Sequence, residues 1–327
     1  EEGSLYQIRI ERQAARQRPY WLQEPGIGLV VLEIDGLSYH HLRQALAMGR
    51  MPTLARLMAE EGYVLSRFDC GLPSQTSASQ AGLLFGDNFD IPAFRWYDKR
   101  RQKLYISRSD AAELNARYAR GQGLLRGGSS IDNMFNGDAA KSLLTLADLR
   151  TTDGEQKRRR AEDLYLLLLN PYFLTRTVVL CLAFIVRELW EAFSQWRRRV
   201  YPRLNRLARF YPFVRALTSV LVRDLATNLA ILDIVRGVPA IYVTWPGYDE
   251  VAHHAGPGAR DAFAELTRHD RSIARIRHAI LHKAPRPYHL IILSDHGQSW
   301  GPTFKMRYGL TLKEFIEQRL PQGAVVA

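Results

Sequence analysis

Three short apolar runs, far apart in the chain, each break into an aspartate. Leu29-Val30-Val31-Leu32-Glu33-Ile34 runs into Asp35-Gly36. Ile241-Tyr242-Val243-Thr244-Trp245 leads through Pro246-Gly247-Tyr248 to Asp249, and Ile291-Ile292-Leu293 leads through Ser294 to Asp295-His296-Gly297. β-Branched runs this short, closed by Gly, Pro and Asp, predict parallel strands rather than helices. In an open α/β sheet the carboxyl edge of the strands is where ligands bind. The pattern therefore predicts an α/β fold that brings Asp35, Asp249 and Asp295 together at one sheet edge.

Between these runs the spacing is helical. Leu42, Leu46, Leu54 and Leu57 mark the stretch from Tyr39 to Gly62, with Pro52 placed to begin a second helix. Val64–Phe68 reads as a short strand. Leu217–Arg236 and Asp261–His282 read as helices, the latter with Phe263, Leu266, Ile273, Ile276 and Ile280 on one side. Residues 1–26 are an Arg-rich lead-in. The expected organisation is a discontinuous catalytic domain over 27–98 and 238–327, with a large helical insertion over 99–237. The opening Glu1-Glu2-Gly3-Ser4 and the close on Val325-Val326-Ala327 read as the ends of a piece of a longer chain.

Charge sets that middle region apart. The 327-residue chain carries a formal +12. From Lys99 to Arg223 there are 24 Lys/Arg against 11 Asp/Glu, whereas the rest is nearly neutral. A basic insert in a neutral body implies an acidic partner such as anionic lipid or nucleic acid, although no specific nucleic-acid motif is present. Within the insert, Gly127-Gly128-Ser129-Ser130 reads as a loop, Thr151–Arg160 as a polar linker, and Asn170-Pro171 as a helix cap. Leu164–Val186 is strongly apolar, but Asn170, Pro171 and Arg176 interrupt it. Trp190, Trp196 and Arg197-Arg198-Arg199 follow. Three readings of residues 164–223 stay open: a helix lying in a membrane interface, a hairpin packed on the body, or a membrane span. The oligomeric state is not encoded in any feature of the sequence.

The chemistry converges on oxygen and nitrogen donors. Asp249 and His253 stand four apart on what reads as an irregular loop, Asp295-His296 supplies a second pair, and Asp35 a third carboxylate. Such a set suits Zn²⁺, with Mn²⁺ or Mg²⁺ as alternatives. Cys70 and Cys181, the only two cysteines, exclude a disulfide framework and a thiolate zinc site. One further stretch, Pro73-Ser74-Gln75-Thr76-Ser77-Ala78-Ser79-Gln80, places hydroxyls at a helix start. There, free N–H groups favour an anion, although Ser and Thr also suit a plain cap.

Taken in order, Asp35-Gly36, Pro-x-x-Thr at Pro73–Thr76, Asp-x-x-x-His-x-x-Gly-Pro at Asp249–Pro257 and Asp-His-Gly at Asp295–Gly297 resemble the alkaline phosphatase superfamily. The type I phosphodiesterase/nucleotide pyrophosphatase branch is the most similar. Pro52-Thr53-Leu54-Ala55-Arg56-Leu57 also resembles that branch's early helix. The resemblance covers 27–98 and 238–310. It implies an alkaline-phosphatase-like, mostly parallel sheet flanked by helices, two divalent metal ions, and a phosphate-ester substrate. Thr76 would be the nucleophile; Asp35, Thr76, Asp295 and His296 would serve one metal, Asp249 and His253 the other. Ser77, Ser79 and Gln80 would contact substrate, and His254 would have no direct role. It also implies association with a bacterial cell membrane.

Two positions depart from the family pattern. Ser79 stands where nucleotide pyrophosphatases carry Asn. No His follows His296, which would place the second metal's remaining ligand beyond Ala327. The Cys-x-Pro-x-Arg motif of sulfatases is not matched at Cys70. Two other outcomes are compatible with the motifs: transfer of the phospho-group to a lipid or glycan, as in phosphoethanolamine transferases, or a non-catalytic module that binds membrane or nucleic acid.

Overall fold

The computed structural model describes residues 2–23, 26–149, 154–168, 171–199, 211–301 and 304–320. Its strands are β1 (Gly28–Ile34), β2 (Arg95–Asp98), β3 (Lys103–Ile106), β4 (Ser129–Ile131), β5 (Lys141–Leu143), β6 (Ala240–Trp245) and β7 (Tyr288–Leu293). Five of them form one parallel sheet in the order β5-β4-β6-β1-β7. β2 and β3 form a separate antiparallel pair. β1, the predicted first strand, lies between the other two predicted strands, which is why its seven residues are buried almost throughout.

Alternation along β1 sorts the two faces. Val30, Leu32 and Ile34 point into a core shared with the helices Pro52–Glu60, Arg223–Arg236 and Arg260–His282. Val31 points the other way, into a second core with Ala78, Ala81 and Leu84 of the helix Thr76–Phe85. Helices thus cover both faces, the arrangement that a sheet of purely parallel strands requires.

Several expectations are corrected here. Residues 99–237 are not wholly a helical insertion, because β4 and β5 belong to the central sheet and β4 pairs directly with β6. Ser129-Ser130-Ile131 and Lys141-Ser142-Leu143 carry no apolar run, so periodicity cannot reveal them. The supposed loop at Gly127–Ser130 therefore runs into a strand. Gly128 is needed there: a Cβ would sit 2.2 Å from the Ala240 carbonyl oxygen. The helical part outside the sheet is narrower, comprising Gly154–Leu168, Pro171–Arg197 and the turns from Tyr211 to Val222. Within the expected linker 151–160, residues from Gly154 onward are helical. The Asn170 cap lies outside the described residues. The lead-in is a packed helix, Glu2–Ala15, with Ile10 and Ala14 in the main core. Val64–Phe68 pairs with no strand.

The helix Gly154–Leu168 is tied to the sheet's amino end by buried charges. Lys141, the first residue of β5, donates to Asp163 at 2.8 Å and also to Asp233, and Arg236 bridges the same two carboxylates. Burial alone would raise the Asp163 carboxyl, but Lys141 and Arg236 hold it below its ordinary value.

Candidate active site

Register decides where the strands end. Glu33 is level with Thr244 on one side and Leu293 on the other. The residues that follow, Asp35, Pro246 onward and Ser294-Asp295-His296, therefore emerge together at the carboxyl edge. The Asp35 N–H bonds back to the Trp245 carbonyl at 3.2 Å. The Gly36 N–H donates to Asp295 Oδ1, also at 3.2 Å, locking the β1 and β7 exits to each other.

Two periodicities then bring the threonine into place. Glu33 and Asp35 are two apart on an extended chain and so point the same way. Thr76 and Gln80 are four apart on a helix and share a face. The two pairs meet like rungs. Gln80 Nε2 donates to Glu33 Oε1 at 2.7 Å, and one turn nearer the surface Thr76 Oγ1 donates to Asp35 Oδ1 at 3.3 Å. Thr76 Oγ1 is also 3.2 Å from His296 Nε2, which lies 3.4 Å from Asp35 Oδ1 and 3.6 Å from Asp295 Oδ2.

The lower rung is a closed polar network. Tyr242 and Thr244 on β6 also donate to Glu33, Thr244 bonds Asn133, and the Gln80 carbonyl accepts from the Met134 N–H. Glu33, Asn133 and Gln298 were not singled out by sequence reasoning. A Glu in the middle of an apolar strand was the signal available for the first.

Asp249 arrives differently from expectation. Gly247–Ala255 is a helix, not an irregular loop. Helical spacing puts Asp249 and His253 on one face, with His253 Nε2 3.2 Å from Asp249 Oδ2. Gln298 holds Asp249 from the β7 side, donating to its backbone oxygen at 3.1 Å and to its carboxylate. The close approach of this helix to the β1 exit depends on Gly36. With φ of +73° and a would-be Cβ 2.2 Å from Asp249 Oδ1, that position admits no side chain.

The electrostatics call for a cation. Burial pushes Asp35 well above the ordinary aspartate value, and repulsion from Asp295, Asp249 and Glu33 adds to it. Burial likewise raises Asp295 and takes Glu33 to about 8. Asp249 goes the other way: burial opposes ionisation, but its hydrogen bonds from His253 and Gln298 and the nearby imidazoles keep it below its ordinary value. No lysine or arginine makes an ion pair with Asp35, Asp249 or Asp295 among the described residues. Ligand atoms of Asp35, Asp249 and His296 lie within 4.8 Å of one another. Buried Asp295 Oδ2 has no hydrogen-bond donor. Uncompensated carboxylates converging with an imidazole and a hydroxyl fit a divalent ion. His253 reaches this group through Asp249.

The expected substrate contacts divide. Gln80 is corrected: it is fully buried and both ends of its amide are used within the protein. The Ser77 and Ser79 side chains are buried too, and the Ser79 N–H is spent on the Gln75 carbonyl. At the first turn of the helix the Thr76 and Ser77 N–H groups precede the first intrahelical bond, Thr76 half-buried and Ser77 fully buried. His254 stacks on Tyr211, ring centroids 3.5 Å apart. Beside Asp295–Gly297 opens a cleft of ≈ 300 Å³ whose walls include Leu37, Tyr39, Leu54, Arg67 and Phe68.

No curated protein and no solved structure matches the chain. A family match does extend along nearly all of it: residues 29–322 match Type I phosphodiesterase / nucleotide pyrophosphatase. Together with a parallel sheet that delivers these groups to one edge, this shows that the chain belongs to the type I phosphodiesterase/nucleotide pyrophosphatase family, part of the alkaline phosphatase superfamily.

Proposed function

We propose that the protein is a metal-dependent phosphoric ester hydrolase in which Thr76 forms a phospho-threonine intermediate. Asp35, Asp295 and His296 hold one divalent cation beside the Thr76 oxygen, and Asp249 with His253 holds a second. Such cations supply charge neutralisation at the attacking and leaving oxygens. The observation that carries the reading is the placement of Thr76 Oγ1, within 3.3 Å of both Asp35 and His296 at the head of a helix.

The chain's own groups divide the work. Asp35 Oδ1 receives the hydrogen of Thr76 Oγ1, which orients the oxygen's remaining lone pairs toward an incoming phosphorus. The N–H groups of Thr76 and Ser77, at the positive end of the helix, bind a non-bridging phosphate oxygen. Thr76 oxygen then loses its proton to solvent and bonds to phosphorus as the bond to the leaving oxygen breaks. In the second half water attacks phosphorus, the bond to the Thr76 oxygen breaks and that oxygen takes up a proton, releasing phosphate from a monoester or a phosphate monoester from a diester. The Glu33–Gln80 rung beneath keeps the helix start from drifting during both displacements.

Replacing Thr76 by Ala tests this directly. Hydrolysis of bis(p-nitrophenyl) phosphate or p-nitrophenyl phosphate by the cation-loaded enzyme falls by about a thousandfold or more. Cation-induced thermal stabilisation persists, because the carboxylates remain. Wild-type turnover in Thr76→Ala would show that Thr76 is not the nucleophile.

A further inference from the structure

The helix Pro171–Arg197 is built inside out. Its inward side carries Thr177 and Glu188, both buried, and Glu188 pairs there with the equally buried Arg215. At about 100° per residue, Val179, Leu182, Val186, Trp190, Phe193 and Trp196 fall within roughly 120° of arc, and no polar residue between 178 and 196 shares it. That arc faces outward. Val186 is 63% exposed, Trp190 67% and Trp196 61%. A helix that meets water on its outer side does the opposite, turning its charges out and its apolar stripe in.

We propose that this face lies on an anionic lipid bilayer. The aromatic groups are gathered at one end, with Trp190–Phe193 and Phe193–Trp196 ring centroids 6.1 and 5.8 Å apart. Exposed Arg197, Arg198 and Arg199 follow at once. Aromatic rings at the acyl boundary with guanidinium groups among the phosphates are what an interfacial helix presents. Charge selects the same partner. Residues 192–199 hold three arginines and no acidic residue, so a second copy docked on this end of the face would bring like charges together. Anionic headgroups neutralise it.

The helix lies along the surface rather than across it. Its 27 residues span about 40 Å. Arg176, Arg187, Glu188 and Glu191 interrupt it, and no described helix is long and apolar enough to cross a membrane. Docking carries the catalytic body with it. Buried Arg215 reaches Asp261 at 3.6 Å, and Tyr211 in the same turn stacks on His254, the neighbour of His253.

Flotation of the full chain with vesicles of equal parts phosphatidylcholine and phosphatidylglycerol tests the proposal. The protein floats with these vesicles, and tryptophan emission shifts to the blue. Pure phosphatidylcholine binds more weakly, by roughly fivefold for each arginine engaged. The double substitution Val186→Ser, Trp190→Ser lowers partitioning roughly a hundredfold, since two large apolar side chains no longer enter the bilayer. Both positions are exposed, so its circular dichroism and melting stay as in the parent. Arg197→Glu, Arg198→Glu, Arg199→Glu abolishes the preference for anionic vesicles. Failure to float with the mixed vesicles overturns the proposal, as does flotation that the double substitution leaves unchanged. So does a dimer in solution that the double substitution dissociates while vesicle binding is absent throughout.

Discussion

Stripping divalent cations from this protein destabilises it most at alkaline pH. Asp35, Asp249 and Asp295 converge, and among the described residues no lysine or arginine pairs with any of them. In the metal-free chain Glu33 titrates at about 8 instead of 4.5, and burial first and mutual repulsion second raise Asp35. The folded state thus holds protons that the unfolded state has already released. Stability from such groups is fully present below their ordinary values and is lost as pH climbs through the folded ones. For Glu33 alone the loss between pH 4.5 and about 8 amounts to about 5 kcal/mol. A bound cation favours the ionised carboxylates and offsets this loss. At a hundredfold excess over Kd it contributes about 2.7 kcal/mol, which for a chain of this size is a melting shift of roughly 5 °C. Differential scanning fluorimetry with chelator and with Zn²⁺ or Mn²⁺, at mildly acidic pH and near the Glu33 value, measures it. The gap is wide at the higher pH, narrow at the lower, and reduced by Asp249→Asn, which removes one of the two sites. Asp35→Asn raises the melting temperature of the chelated protein, because it removes one of the repelling charges. A gap equal at both pH values and undiminished by Asp249→Asn would refute the reasoning, and so would an Asp35→Asn that melts earlier in chelator.

Two other substitutions probe separate parts of the argument. Gly36→Ala places a Cβ 2.2 Å from Asp249 Oδ1 at a left-handed φ, and cation affinity by calorimetry falls at least about tenfold as the helix 247–255 is pushed away. Lys141→Met leaves Asp163 and Asp233 buried around a missing cation and lowers the urea-unfolding free energy by about 3–5 kcal/mol; cation binding at the opposite edge of the sheet stays unchanged.

The strands that build the site were legible because each is a short apolar run broken by polar turn residues. Local chemistry alone writes that pattern. Asp35, Asp295 and His296 could be named for the same reason: they follow those runs immediately. β4 and β5 could not be found this way. Three residues such as Ser129-Ser130-Ile131 form a strand only because β6 is already there to pair with, so no window of sequence contains the cause. The helical state of Gly247–Ala255 is hidden on similar grounds, because Tyr248, Val251 and Ala252 find a core to pack on only in the fold. The family resemblance points Gln80 toward substrate, yet four residues along a helix is one turn deeper, and there it meets Glu33.

By itself, then, the order of residues determined a parallel sheet, its three aspartate exits and a hydroxyl at a helix start. Tertiary structure alone decided that the exits are level, that Thr76 reaches Asp35 and His296, and that Gly36 lets the Asp249 helix close in. It also decided which side of the helix Pro171–Arg197 faces out. The physical reason is range: backbone preference and apolar period act over a few residues, whereas register, burial and the mutual repulsion of carboxylates exist only after segments hundreds of residues apart have packed together.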